Sequence, residues 1–123
     1  MAELLLERLG ASETATTDGL DRIGLALADS IRREVLVRLL DGERCPSDLA
    51  DEIGTSRSNL SNHLACLRGC GLITAQRSGR HLHYQLASDD LADALRMLLR
   101  VATSLTACET PADAATDSTA RAR

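Results

Sequence analysis

The feature that most constrains the fold of this chain is its near-absence of aromatic side chains. Its 123 residues include one tyrosine, Tyr84, and neither phenylalanine nor tryptophan, although apolar residues make up 44% of the sequence. A core must therefore be built from Leu, Ile, Val and Ala. Strands draw on aromatic and β-branched residues, whereas Leu and Ala favour helices, so this composition predicts a mainly α-helical fold. The length fits one domain with a modest core, which excludes a large multidomain enzyme.

The spacing of apolar residues predicts helices on both sides of a small β-hairpin. The predicted helices cover residues 18–29, 30–40 with a cap at Ser30, 46–54, and 57–69 with a cap at Thr55 or Ser56. Strands over 72–77 and 80–86 flank a turn at Ser78-Gly79, and a long helix follows a cap at Ser88. Two short helices joined by a Gly-containing turn and followed by a hairpin are typical of a winged helix-turn-helix.

The second helix of this motif would be the recognition helix. Its core stripe is Leu60, Leu64 and Leu67, which leaves Ser58, Ser61, Asn62 and Ala65 on the opposite side. Such short side chains allow close approach to base edges and phosphates. The candidate DNA-contacting residues of this helix and of the hairpin are Ser56, Arg57, Ser58, Asn59, Ser61, Asn62, His63, Arg77, Arg80 and His81.

The charge distribution supports a nucleic-acid partner. The formal net charge is −4, yet residues 54–88 contain four arginines and no acidic residue. Carboxylates would repel phosphates, so an acid-free segment in an acidic protein is what a DNA-binding surface requires. No phosphate-binding loop, nucleophile elbow or paired His and carboxylate motif indicates an enzyme.

Cys66 and Cys70 lie four residues apart on the predicted recognition helix. At this spacing the β-carbons are about 5–6 Å apart, which is too far for an unstrained disulfide but suits two ligands of one soft metal. The third donor stays open among Cys108, His63, Cys45, His81 and His83. The alternative is that the cysteines are small buried residues, and we favour it for Cys45 alone.

The sequence also predicts a cytoplasmic location. No stretch approaches the roughly 18 consecutive apolar residues of a membrane span, and charged residues interrupt the apolar start of the chain, unlike a signal peptide. We therefore expect a soluble protein with reduced thiols and no membrane partner.

The run TSRSNLSNHLACLRGCGL at 55–72 resembles the ArsR/SmtB family of metal-sensing repressors, and within it the cadmium- and lead-sensing CmtR branch. Segments 27–33 and 39–42 and the Gly79-Arg80 wing also resemble it, so the likeness covers roughly residues 18–108. The resemblance implies a homodimer paired through its first and last helices on a palindromic operator. It also implies a metal site in which the thiol pair joins a cysteine from the C-terminal region of the other protomer. Carried over, the ligands are Cys66, Cys70 and Cys108.

Together these features predict an organisation and a function. We expect an N-terminal arm at 1–15, a winged helix-turn-helix domain with dimerisation helices at 16–105, and a flexible tail at 106–123 that carries Cys108. The expected function is a homodimeric repressor that binds double-stranded operator DNA as apoprotein and is released by Cd(II) or Pb(II), with no organic cofactor. Two alternatives stay open: a repressor that responds to thiol oxidation or arsenite, and a winged-helix interaction module with structural cysteines.

Overall fold

The computed structural model describes residues 13–106, and this range contains five α-helices and one two-stranded antiparallel sheet. The elements in chain order are α1 (Glu13–Leu27), α2 (Ser30–Leu39), α3 (Pro46–Ile53), α4 (Arg57–Gly69), β1 (Ile73–Ser78), β2 (His81–Leu86) and α5 (Asp89–Thr106). This order confirms the predicted mainly α fold with a small β-hairpin. α1 begins before the predicted start at residue 18 and includes the last residues of the expected N-terminal arm.

The connection between α1 and α2 is held by a carboxylate. Asp29 has an extended backbone, and its side chain accepts hydrogen bonds from the backbone N–H groups of Ile31 at 2.8 Å and Arg32 at 3.0 Å. The predicted cap, Ser30, is instead the first helical residue. The prediction was one residue late because the carboxylate of Asp29 already satisfies two of the free N–H groups that begin the helix.

The helix-turn-helix consists of α3 and α4. Pro46 occupies the first turn of α3, where its missing N–H is not needed, and Gly54 ends the helix with a left-handed φ of 84°. The side chain of Ser56 then caps α4 by accepting the backbone N–H of Asn59 at 3.0 Å. These signals place the two helices as the sequence predicts.

An aliphatic core lies within the first of two compact units, which extends to Ala92. Leu60, Leu64 and Leu67 are 0–2% exposed, as predicted for the inner stripe of α4. The other large apolar side chains buried in this unit are Val35, Leu36, Leu39, Leu49, Leu72, Ile73 and Tyr84. Because the stripe fixes the rotation of α4, it also determines which residues of the helix face solvent.

The hairpin turns at Gly79 and Arg80. Ser78 pairs with His81, so the two loop residues are Gly79 and Arg80. The turn therefore lies one position after the predicted turn at Ser78-Gly79. Gly79 has a φ of 63°, and a two-residue loop that needs a positive φ at its first position selects glycine there. On its other edge, β2 is joined to the loop before α3 by reciprocal backbone hydrogen bonds of 3.0 and 2.8 Å between Arg44 and Tyr84.

The last helix begins at a capped end. The backbone N–H of Leu91 donates to Ser88 Oγ at 3.1 Å, as the sequence predicts. The second compact unit starts at Asp93, and within it α5 carries large apolar side chains that are exposed: Met97, Leu98, Leu99, Val101 and Leu105. None of the helices in the described range is long and apolar enough to cross a membrane.

Candidate nucleic-acid interface and thiol pair

The outer face of α4 consists of Ser58, Ser61, Asn62 and Ala65, and all four residues are exposed. They lie opposite the buried stripe of Leu60, Leu64 and Leu67, as expected from the helical period. The four side chains of this face are no longer than that of asparagine, so a phosphate backbone or a groove edge can approach them closely.

The first turn of α4 adds polar groups to this face. Ser56, Arg57 and Asn59 are all exposed, and Asn59 Nδ2 donates to Thr55 Oγ1 at 3.0 Å. Part of the hydrogen-bonding capacity of Ser56 and Asn59 is therefore used to shape the start of the helix. The backbone N–H groups of the first turn and the guanidinium of Arg57 form an end suited to an anion.

The tip of the hairpin carries the predicted wing residues. Arg77, Arg80 and His81 are exposed on either side of the Gly79 turn. Farther from the tip, His83 Nδ1 lies 3.7 Å from Glu43 Oε1, an acid contributed by the loop before α3. Of the four arginines in the acid-free segment, two lie at the tip, Arg57 lies at the start of α4 and Arg68 lies in its last turn.

His63, Cys66 and Cys70 form a separate strip on α4, which we call the thiol flank. All three residues are half-buried, unlike those of the outer face. His63, predicted as a DNA contact, lies with Nδ1 at 3.4 Å from Arg32 Nη1 and 3.7 Å from Asp29 Oδ2. The flank therefore faces the junction of α1 and α2 rather than the side occupied by Ser61 and Asn62.

The two thiols of the flank interact with each other. Burial raises the pKa of the Cys70 thiol, and the neighbouring Cys66, through its charge and a side-chain hydrogen bond, raises it further. The positive charges of Arg22 and Arg32 act in the opposite direction without cancelling these effects. At neutral pH Cys70 is consequently a protonated thiol, and a metal that binds it must displace the proton.

The pKa of the Asp29 carboxyl is shifted in the opposite direction, to below its ordinary value. Its partial burial alone would raise the pKa, but hydrogen bonds from the backbone N–H groups of Arg32 and Ile31 and the nearby charges of His63 and Arg32 hold it below the ordinary value. Asp29 is thus an anion at neutral pH that both caps α2 and faces His63 of α4. Sequence reasoning identified neither this residue nor Arg32 as part of the site.

The remaining predicted ligands do not complete a site in the described range. Among residues 13–106, no group of three His, Cys, Asp or Glu side chains is arranged to hold a metal ion. Cys45 lies at the start of α3, with Sγ 3.3 Å from Ser47 Oγ, and His81 is 6.3 Å from His83 between ring centroids. Cys108 lies outside the described residues.

Comparison with known proteins identifies similar regulators. A family model described as "Bacterial regulatory protein, arsR family" matches residues 29–75. The HTH-type transcriptional regulator CmtR of Mycobacterium tuberculosis is 54% identical over 82 residues, which cover 67% of this chain and 70% of CmtR. A probable mercury resistance operon repressor of Streptomyces lividans is 40% identical over 75 residues, covering 61% of this chain and 59% of the repressor.

Solved structures agree with the fold. The NMR structure of the cadmium metal-sensor CmtR from M. tuberculosis superimposes with a TM-score of 0.60 at 53% identity, over 68% of this chain and 86% of that one. The homodimeric winged helix-turn-helix DNA-binding domain of Mb0332 from Mycobacterium bovis gives a TM-score of 0.69 at 32% identity, over 74% of this chain and 84% of that one. These matches confirm the predicted winged helix-turn-helix.

Proposed function

The chain belongs to the ArsR family of bacterial regulatory proteins and is a DNA-binding transcription regulator, not an enzyme. On this premise we propose that it is a homodimeric cytoplasmic repressor. It binds operator DNA in the metal-free state and releases it when Cd(II) or Pb(II) binds cysteine thiolates, without an organic cofactor.

The outer face of α4 enters the major groove in this proposal. Its exposed serines and Asn62 approach the base edges, while Arg57 and the first-turn N–H groups hold a phosphate. The contact residues are Ser56, Arg57, Ser58, Asn59, Ser61 and Asn62 on or before α4, and Arg77, Arg80 and His81 on the wing. His63, half-buried beside Asp29, supports the helix from behind this interface.

Exposed apolar side chains support the homodimer. Met97, Leu98 and Leu105 of α5 are 47–63% exposed, and Leu20 and Leu25 of α1 are 63% and 54% exposed. Apolar clusters of this kind mark protein interfaces, and the similar domain from M. bovis is homodimeric. A two-fold axis would place two recognition helices on successive major grooves of a palindrome.

The observation that carries the sensing proposal is that two interacting thiols lie on the recognition helix itself. Cys66 and Cys70 are close enough for a side-chain hydrogen bond, and they lie beside the outer face rather than on it. Two adjacent sulfur donors fit a soft thiophilic metal, and the curated relative CmtR has a solved structure described as a cadmium sensor. A ligand bound there can change the position of the helix without occupying the DNA-binding surface.

We assign Cys108 as the third ligand. The described residues offer no third donor beside the thiol pair, so a site with three thiolates needs a residue from outside that range. A C-terminal cysteine from the same or the other protomer would connect the recognition helix to the tail that follows α5. Such a connection would favour a dimer geometry that no longer matches two successive grooves.

The required coupling is small. Each tenfold loss of DNA affinity corresponds to about 1.4 kcal/mol, and typical allosteric coupling is about 1–3 kcal/mol. Linkage requires reciprocity, so operator DNA must weaken metal binding by the same factor by which metal weakens DNA binding.

A titration of the reduced protein with cadmium tests the proposal. Thiolate-to-metal absorption in the ultraviolet and the anisotropy of a fluorescein-labelled duplex from the promoter of its own gene are recorded on the same samples. We expect absorption that saturates at one metal per chain and DNA release over the same range. The Cys108→Ser variant should lose much of the absorption and of the release, while keeping metal-free DNA binding.

Other outcomes would redirect the assignment. DNA release by peroxide or arsenite but not by cadmium would indicate the redox- or arsenite-responsive repressor. DNA binding that persists under all three treatments, without thiolate-to-metal absorption, would indicate that Cys66 and Cys70 only pack against their neighbours. DNA affinity that is absent at every salt concentration would favour the interaction module.

A further inference from the structure

Arg32 is a side chain of α2 that contacts two other helices at once. Its Nη2 donates to the backbone oxygen of Leu25 at 2.7 Å and its Nε to that of Ala26 at 3.4 Å, both in the last turn of α1. Its Nη1 lies 3.4 Å from Nδ1 of His63 on α4. One guanidinium therefore joins the end of α1 to the thiol flank of the recognition helix.

The fork geometry of arginine makes this connection possible. The guanidinium is rigid and planar with five N–H donors, so its contacts on α1 and on α4 cannot move independently. Asp29 also holds the backbone of Arg32 in place, because its carboxylate accepts a hydrogen bond from the Arg32 N–H at 3.0 Å. A displacement of His63 is consequently transmitted to the carbonyl groups that end α1.

The position of His63 relative to the thiols extends the connection to the proposed metal site. His63, Cys66 and Cys70 are spaced i, i+3 and i+7, and all three are half-buried on one strip of α4. The positive charge of Arg32 also acts on the thiol of Cys70, where it lowers the pKa against the effects of burial and of Cys66. The guanidinium is thus within electrostatic range of the sulfur atoms that would hold the metal.

Metal binding would change the charge that Arg32 faces. One divalent cation bound by three thiolates forms a complex with one net negative charge. A guanidinium near this complex is attracted to it more strongly than to neutral thiols, in competition with the carbonyl groups of Leu25 and Ala26. Occupation of the thiol pair would therefore weaken the attachment of α1 to the junction.

We propose that Arg32 is the positioning residue that couples occupation of the Cys66–Cys70 pair to the end of α1. This inference rests on the proposed metal-sensing function and names the route by which the same site communicates with a helix of the proposed dimer interface. Leu25, whose carbonyl Arg32 holds, has one of the exposed apolar side chains assigned to that interface. A change at the thiols can thus reach the partner protomer through a single side chain.

The neighbouring Arg33 provides a matched control. Its Nη1 donates to the backbone oxygen of Leu27 at 2.8 Å, so it also binds a carbonyl at the end of α1. It differs from Arg32 in having an exposed side chain, and the contact with His63 is made by Arg32. Replacement of either arginine removes one positive charge and hydrogen bonding to α1, two bonds for Arg32 and one for Arg33, but only Arg32→Gln breaks the connection to α4.

The experiment measures the ratio of DNA affinities without and with saturating Cd(II) for the full chain and the variants Arg32→Gln and Arg33→Gln. Ultraviolet absorption confirms metal loading, and thermal unfolding of the metal-free variants monitors folding. We expect Arg32→Gln to lower the affinity ratio at least tenfold, or about 1.4 kcal/mol of coupling, with metal stoichiometry unchanged. Arg33→Gln should keep the ratio within about twofold of the wild-type value, which corresponds to about 0.4 kcal/mol.

Arg32→Lys is a second variant in case the glutamine variant unfolds. Lysine keeps the charge, but its single ammonium group cannot hold the Leu25 carbonyl and His63 in one rigid arrangement. The ratio of DNA affinities without and with Cd(II) should therefore also fall in this variant. An unchanged ratio in the folded Arg32 variants, or an equal loss in Arg33→Gln, would overturn the inference. A wild-type ratio near one would instead overturn the proposed function.

Discussion

The two sides of α4 have different surroundings, although their residues are next to one another in the sequence. Ser61 and Asn62 of the outer face are exposed, whereas His63 in the next position is half-buried against Asp29 and Arg32. The outer face is free to meet a large polyanion, and the thiol flank is already engaged with the rest of the domain. One helix can therefore carry a binding surface and a sensing surface that substitutions can separate.

The largest expected effect is at the thiol flank. Cys66→Ser or Cys70→Ser removes a proposed metal ligand, so cadmium affinity should fall by more than the roughly 100-fold that changes outside the ligand shell can cost. Metal-free DNA affinity should change little, because neither side chain lies on the outer face. Cadmium absorption and anisotropy titrations measure the two quantities.

Cys45→Ser is the control for both variants, since Cys45 lies at the start of α3 beside Ser47. It should keep both affinities. Continued cadmium-driven release in both Cys66→Ser and Cys70→Ser would show that the metal acts elsewhere.

The next largest effect is expected on the outer face. Asn62→Asp keeps the shape of the side chain but replaces a donor with a negative charge, so DNA affinity should fall by about 1–3 kcal/mol, or roughly 5- to 150-fold. Cadmium affinity of the DNA-free protein should stay unchanged. Gln85→Glu makes the same charge change at the end of β2 away from the wing tip and should have a much smaller effect on DNA binding. Equal losses in both variants would argue against a recognition role for Asn62.

A smaller effect is expected at Asp29, which connects the thiol flank to α2. Asp29→Asn keeps a cap oxygen but removes the charge, and the free energy of unfolding at neutral pH should fall by about 1 kcal/mol. Because the folded state lowers the pKa of this carboxyl, its contribution is present at neutral pH and is lost as the pH falls below about 5 through its titration range. The difference between the two proteins in urea unfolding should therefore shrink on acidification, and a constant difference would contradict the assignment.

The smallest effect is a change in acidity within the thiol pair. Cys66→Ala should lower the pKa of Cys70, because Cys66 raises it through its charge and a hydrogen bond. Thiolate absorbance against pH, in a background of Cys45→Ser and Cys108→Ser, gives the measurement with and without Cys66. An unchanged titration would show that the two thiols do not interact.

The local features of the fold could be predicted from the sequence because they depend on neighbouring residues. The inner stripe of α4 follows from the spacing of Leu60, Leu64 and Leu67, and the caps at Ser56 and Ser88 follow from single side chains. Two misplaced boundaries, at Asp29 and at Gly79, are each one residue from their predicted positions, whereas α1 begins five residues before its predicted start. In both cases two adjacent residues were plausible, and backbone geometry decided between them.

The surroundings of the thiol pair could not be predicted in the same way. Arg32 is 31 residues from His63 along the chain, and their contact depends on how α2 and α4 pack. Helical spacing places His63, Cys66 and Cys70 on one strip, but it does not identify which side chains of another helix will face that strip. The sequence therefore predicts the members of the flank without the arginine and carboxylate that surround it.

The single tyrosine of the chain has an optical consequence. Tyr84 is buried, and its backbone pairs with Ala75 of β1 on one side and with Arg44, in the loop before α3, on the other. With no tryptophan in the sequence, all near-ultraviolet protein fluorescence arises from this ring. The chain thus contains its own unlabelled reporter at the base of the wing, and duplex DNA, whose emission is very weak, leaves that signal readable in the complex.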